Sequence, residues 1–296
     1  MKMKFFFALC FAIAVTVARG QIYIDSYRFG AAASTALLLD SVGGYPGAVA
    51  AYSLRKLRTN YTGNCIMVIK DNNDSINIGF SGNYIDTIQL KNQCGTGAGD
   101  SCRVRIWYDQ SGNANNLRQN VDTMLPLIVV NGAILYSNGE VGLRFLSNKL
   151  SNLSNYSSGI SFNTSFSVTR FATRPAVSYL TTNANNSTRI LYDYSGYKLY
   201  NTTDFNSGIN PSTTNQDYIY AFYNSANSEI KINNNSLVIG NPGSTGSTGL
   251  IIGAPTNFSP FACFNGFYYE LILYNSNQSA NESGIRNNIN LFYLIY

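Results

Sequence analysis

Arg103-Val-Arg-Ile-Trp-Tyr-Asp-Gln-Ser-Gly112 is the stretch that decides the fold. Its first six residues alternate, with charge on one face and Val104, Ile106 and Tyr108 on the other, the period of a half-buried strand. Asp109 to Gly112 then supplies turn chemistry. Outward from here the same sign recurs. Residues 65–70, 76–80, 127–130, 141–145, 166–171, 189–192, 217–223, 229–232, 249–253 and 267–274 read as strands. Turn-rich segments such as 240–249 separate them. Many short strands with a few short helices predict an all-β fold, a sandwich of antiparallel sheets. One helix is expected over Pro46 to Leu57, with Pro46 at its first position and Ala50, Leu54, Leu57 and Tyr61 on one face. Arg55, Lys56 and Arg58 would then complement the dipole in its last turns. A closing helix is expected after a Ser279/Glu282 capping box, with the stripe Ile285, Ile289 and Phe292.

The first residues read as an address rather than structure. Lys2 and Lys4 precede an apolar run from Phe5 to Val17, and Ala18 and Gly20 put small residues at a cleavage site. This is the pattern of a secretory signal peptide over residues 1–20, leaving 21–296 as a single secreted domain. The apolar run is shorter than the roughly 20 residues that span a bilayer, so no membrane span is expected. Charged residues make up only 12% of the chain and the net charge of +5 is diffuse, so nucleic acid is not an expected partner. Histidine is absent, which excludes Ser-His-Asp and Cys-His hydrolysis and imidazole metal sites. No cofactor or metal is expected, and Asp71-Asn-Asn-Asp74 reads as a turn.

Four cysteines follow the leader, an even number for an oxidising compartment. Cys94 and Cys102 flank a Gly-rich loop and are expected to pair; Cys65 with Cys263 follows by elimination. Asn-x-Ser/Thr triplets, among them Asn60, Asn152, Asn163, Asn201 and Asn281, are either glycosylation acceptors or products of an Asn- and Ser-rich composition.

Two stretches carry a resemblance. The first runs from Tyr52-Ser-Leu-Arg-Lys-Leu-Arg58 through Tyr61-Thr-Gly63, Cys94 and Cys102 to Trp107-Tyr-Asp-Gln-Ser-Gly112 with Asn115-Asn-Leu117. The second is Gly266-Phe-Tyr-Tyr-Glu270-Leu-Ile-Leu-Tyr274 and the final helix. Together they resemble the catalytic domain of the alpha-L-arabinofuranosidase B family, glycoside hydrolase family 54. The resemblance implies a concanavalin A-like sandwich and a polysaccharide or glycan partner. It also implies retaining hydrolysis of terminal arabinofuranose, by two carboxylates about 5 Å apart.

The family's glutamate nucleophile meets Ser195 in one register, next to Asp193, and Asp204 in another. Asp204 is therefore the candidate catalytic carboxylate, and Asp193, Asp109 and Gln110 are candidate sugar contacts. For Asp109 and Gln110 a turn-fixing role is the alternative. Glu270 matches a structural position, and Glu140 reads as a solvated turn residue after Asn138-Gly139. The family's acid/base aspartate falls in Gly253-Ala-Pro-Thr-Asn-Phe258, and no Asp or Glu lies between Glu229 and Glu270. Two functions follow as expectations. One is a secreted arabinofuranosidase with a rearranged carboxylate set. The other is a non-catalytic glycan-binding or adhesive module, which would offer a pocket of Tyr and Asn.

Overall fold

The decisive strand forms as Cys102–Trp107, antiparallel to Ile66–Lys70 on one side and to Leu117–Arg118 and Leu127–Val130 on the other. It is part of a computed structural model that describes residues 36–70, 74–156, 160–184, 188–244, 248–259 and 261–296. The expected leader, the first three residues of the 71–74 turn and part of the 240–249 turn lie outside the described residues. Opposite Met67 and Val68 the register slips: Ile106 faces Met67 and Val104 faces Val68, leaving Arg105 as an extra residue. A bulge turns every later side chain to the other face. Cys102, Val104 and Trp107 therefore enter the main core, in place of the expected Val104, Ile106 and Tyr108.

Among the described residues nineteen strands join into one antiparallel sheet that folds over on itself as a sandwich. One layer centres on Gly266–Tyr274, which pairs with Ala50–Ser53 and Leu143–Phe145 along one edge and with Thr164–Phe171 along the other. Asp217–Phe222 and Ser228–Ile232 extend that layer. The facing layer runs from Asp204–Asn206 through Gly196–Tyr200, Arg189–Asp193, Val177–Thr182, Leu250–Ile252 and Leu153–Asn155 to Leu117–Arg118. Strand Leu127–Val130 bonds both Cys102–Trp107 and Leu143–Phe145 and so links the layers.

All nine residues of Gly266–Tyr274 are buried, because both of its faces are covered. Tyr268, Leu271 and Leu273 face the sandwich interior. Phe267, Tyr269, Ile272 and Tyr274 face outward, beneath the helix Glu282–Tyr293 and the segment around Leu38 and Leu39. Ile285, Ile289 and Tyr293 of that helix are buried, each contributing about 1.5–3 kcal/mol. Phe292 packs at the rim of the same cluster. The capping box does not form. A 3-10 turn over Ser279–Asn281 precedes the helix, and the Ser279 hydroxyl donates to Glu229 instead (2.8 Å).

The helix expected over Pro46 to Leu57 is absent; Ala50–Ser53 is a strand. Its apolar residues also satisfy a two-residue period. Ala50, Tyr52 and Leu54 enter the inner core, while Ala51 and Leu57 pack outward. Four backbone pairings with Leu273 to Glu270 then decide the matter, tertiary pairing overriding local propensity. Arg55 consequently sits in no helix turn; its partner is Glu270. The first real helix, Thr87–Cys94, was legible only in its cap: the Asp86 carboxylate accepts from the Gln89 amide (2.8 Å).

Cys94 ends that helix and bonds to Cys102, with Cα atoms 5.8 Å apart. The closed loop is worth about 2–3 kcal/mol. The second expected disulfide does not form. Cys65 lies in the inner core and Cys263 in a separate small cluster with Ile251 and Ala254, so elimination put together two side chains that do not meet. Burial pushes the Cys65 thiol well above its ordinary value and Cys263 up to about 11, which leaves both as unreactive thiols. Of the sequons, Asn60 and Asn281 are exposed, whereas Asn152 and Asn201 are buried, where this fold leaves no room for a glycan.

Candidate functional site

The Tyr-Asp-Gln-Ser-Gly turn is a staple. Asp109 is buried and its carboxylate accepts from the amides of Ala51 (2.8 Å), Ser111 (2.8 Å) and Asn115 (3.0 Å) and from the Ser111 hydroxyl (2.7 Å). Gln110 is fully buried. Its Oε1 accepts from the Leu57 amide (2.8 Å), and its Nε2 donates to the carbonyls of Ser53 (2.9 Å) and Arg55 (3.0 Å). These contacts support the turn-fixing alternative for both residues. They lock the turn to the first strand, whose backbone they satisfy where no neighbouring strand does.

The staple also sets a groove wall. The Asp109 amide donates to Asn116 Oδ1 (2.9 Å), and Asn155 Nδ2 donates to the Asn116 carbonyl (3.0 Å). Gln119 Nε2 reaches Asn152 Oδ1 (2.7 Å), whose own Nδ2 holds the Leu150 carbonyl (2.8 Å). These amides line an open cavity of about 540 Å³. Tyr156, exposed, and Phe258, half-buried, add aromatic wall. Phe258 has φ +48°, a left-handed conformation that costs a bulky residue about 1–3 kcal/mol and marks a position set by its surroundings. Packing against Ile251, Ala254 and Cys263 holds it there.

Asp193 and Asp204 lie elsewhere, on the hairpin Arg189–Asp193 and Gly196–Tyr200 and the next strand, Asp204–Asn206. Asp193 pairs with Gly196 across a two-residue turn, and its Oδ1 accepts from the Ser195 amide (2.9 Å) and hydroxyl (2.6 Å). Lys198 lies between the two carboxylates, its Nζ 2.5 Å from Asp193 and 3.3 Å from Asp204. Their nearest oxygens are therefore within about 6 Å of each other, with the ammonium between them. Partial burial raises the Asp193 pKa, but Lys198 and the Ser195 donors outweigh it and hold the carboxyl below its usual range. Burial acts on Lys198 in the downward direction, and the two aspartates reverse it, keeping the ammonium charged. Ser195, at the nucleophile position in one register, is an exposed turn residue whose hydroxyl donates to Asp193.

Two further carboxylates, Glu270 and Asp217, are buried in structural contacts. Glu270 is fully buried and takes a two-pronged contact from Arg55, with Nε to Oε2 at 2.7 Å and Nη2 to Oε1 at 2.8 Å. Ser53 (2.8 Å) and Tyr293 (3.2 Å) donate to the same carboxylate. Asp217 is buried under donors from Tyr197, Ser212 and Asn233, and burial raises its pKa. Glu140 is half-buried and begins a short strand after the Asn138-Gly139 hairpin turn.

No protein-family model and no curated protein matches the chain. Solved structures do. An arabinofuranosidase complexed with arabinofuranosyl-alpha-1,2-xylobiose superposes with a TM-score of 0.63 at 20% identity, over 82% of this chain and 62% of that one. The fold is that of the GH54 arabinofuranosidases. A glutamate-to-glutamine mutant of a GH54 alpha-L-arabinofuranosidase, soaked with 4-nitrophenyl alpha-L-arabinofuranoside, gives 0.62 at 18% identity with the same coverages. A third, soaked with a cyclic sulfate inhibitor, gives 0.60 at 17%. This chain spans 62% of the length of those GH54 enzymes. The antiparallel sandwich expected from the GH54 resemblance is thus the observed one. The groove was missed as a site because its walls come from segments 116–124, 152–156 and residue 258. Its traces in the sequence were Asn115-Asn-Leu117 beside the signature and Asn152 counted as a sequon.

Proposed function

We propose that this chain is a secreted glycan-binding protein built on a GH54-type sandwich, with the 540 Å³ groove as its sugar site. The observation that carries this reading is the composition of the wall. Asn116, Gln119 and Asn155, each partly exposed, offer amides that donate to and accept from sugar hydroxyls, while Tyr156 and Phe258 offer faces for the C–H side of a ring. Among the described residues no carboxylate lines the groove. Such a site binds and orients a sugar but supplies no proton to a leaving oxygen. The leader-like first twenty residues and the Cys94–Cys102 bond support export.

A second reading rests on the proximity of Asp193 and Asp204. Asp193, held ionised, has the charge of a nucleophile, and Asp204 would have to protonate the leaving group. Both readings meet in one experiment. The full chain, with Asp193→Asn and Asp204→Asn, is incubated with soluble arabinan and with an aryl alpha-L-arabinofuranoside. The expected result is retention of arabinan without release of arabinose or phenol by any of the three. Release that either substitution abolishes would replace the binding reading with hydrolysis.

A further inference from the structure

The outer face of the sheet around the groove carries an excess of positive charge, and this bears on which glycan it takes. Val104 and Leu117 point into the core, so Arg103 and Arg118, their chain neighbours, point outward. Arg118 lines the groove. Segment 119–125 forms a shared wall: Asn120, Val121 and Met124 face the groove, and Asp122, Thr123 and Leu125 face a second cavity of about 400 Å³. Arg103 and Lys149 line that second cavity. The single carboxylate there, Asp122, is already paired with Arg105. Arg103 has a partner of its own and adds only to the field. Arg118 and Lys149 are exposed and form no ion pair among the described residues.

We infer that the groove and the neighbouring cavity together take an acidic glycan, a chain carrying uronate carboxylates, with Arg118 and Lys149 as its anion contacts. This rests on the reading of the groove as a sugar site and adds the ligand's charge to it. The surrounding chemistry favours a sugar polyanion over a bare one. Arg118 stands among amides and an exposed tyrosine that match hydroxyls and ring faces, and guanidinium matches a carboxylate in two-pronged fashion. The cavity beyond the shared wall is lined by half-buried Leu127 and Leu146 as well as Lys149, a mix of apolar surface and a cation that suits a sugar ring bearing a carboxylate.

The test is affinity electrophoresis and calorimetry of the full chain with polygalacturonate, neutral arabinan and a single-stranded DNA oligomer, at about 20 mM and about 200 mM salt, which shorten the screening length from about 20 Å to below 10 Å. Polygalacturonate is expected to bind about tenfold tighter than arabinan at low salt and to lose that advantage at high salt. The double variant Arg118→Gln/Lys149→Gln is expected to bring the ratio of polygalacturonate to arabinan affinity at low salt from about ten down to about one. Equal binding of the two glycans, unchanged in the double variant, overturns the inference and leaves the groove as a neutral-sugar site. DNA bound as tightly as polygalacturonate with the same salt dependence overturns it in favour of an unspecific polyanion surface. Failure of a folded chain to bind either glycan removes the sugar site itself.

Discussion

Glu270→Ala is expected to lower the unfolding free energy by about 3–5 kcal/mol. Glu270 is fully buried, and Arg55 is only 9% exposed at its side chain. Removing the carboxylate leaves a guanidinium in the protein interior with no counter-charge. Its other contacts, a bond to Asn288 Oδ1 (2.9 Å) and stacking at 5.0 Å from the Phe292 ring, do not neutralise it. Ser53 and Tyr293 lose their acceptor in the same step. The pair ties the first strand, the C-terminal strand and the C-terminal helix together, so the helix should loosen first. Urea unfolding followed by far-UV circular dichroism measures the loss. The double variant Arg55→Met/Glu270→Leu should recover part of it, because it removes the stranded charge along with its partner. A loss below about 1 kcal/mol in Glu270→Ala would show that water reaches the site and that the pair is not an interior one.

The second large effect is expected at Asp109. Its carboxylate is the acceptor for three backbone amides and one hydroxyl, in a turn where no strand neighbour can take over. A buried donor left unmatched costs about 1–3 kcal/mol; of these only the Ala51 amide is fully buried, while the donors of half-buried Ser111 and Asn115 can turn to water, so Asp109→Ala should cost about 2–4 kcal/mol. Asp109→Asn keeps one acceptor oxygen but turns an NH₂ toward other donors, and should recover only a fraction. Because the Asp109 amide also holds Asn116, the groove wall should shift, and glycan binding should weaken even in the fraction that stays folded. Thermal unfolding and binding measured on the same sample separate the two. A stable Asp109→Ala chain with lost binding would instead return Asp109 to the role of a direct sugar contact.

These two sites show what the sequence could and could not carry. Alternation placed the strands of the sandwich well, since a half-buried strand writes its period into a few consecutive residues. It failed wherever one residue was added: the bulge at Arg105 moved Trp107 into the core against the two-residue count. It failed also at Ala50–Ser53, where Ala, Leu and Tyr fit a helical face as readily as a strand and a partner some 220 residues away made the choice. Glu270 is structural, as the resemblance implies, but its partner Arg55 follows a strand where the sequence predicts a helix. Asp193 and Asp204 come from two alternative registers of the family resemblance, and only the folded hairpin puts both beside Lys198. Lys198 between them carries no sequence signal of its own. The groove was illegible for a physical reason: its polar side chains are common surface types, and only the folded sheet brings them to one wall.

The central claim is that the amide-lined groove holds a sugar chain, and mobility of the chain in gels cast with soluble arabinan tests it most directly, with Tyr156→Ala as the comparison. Tyr156 is 59% exposed, so its removal should leave the fold intact while taking away a stacking face worth about 1 kcal/mol or more. The account predicts that arabinan retards the natural chain and that Tyr156→Ala binds about five- to tenfold more weakly. A folded natural chain that arabinan does not retard, or a Tyr156→Ala chain retarded equally, would contradict it.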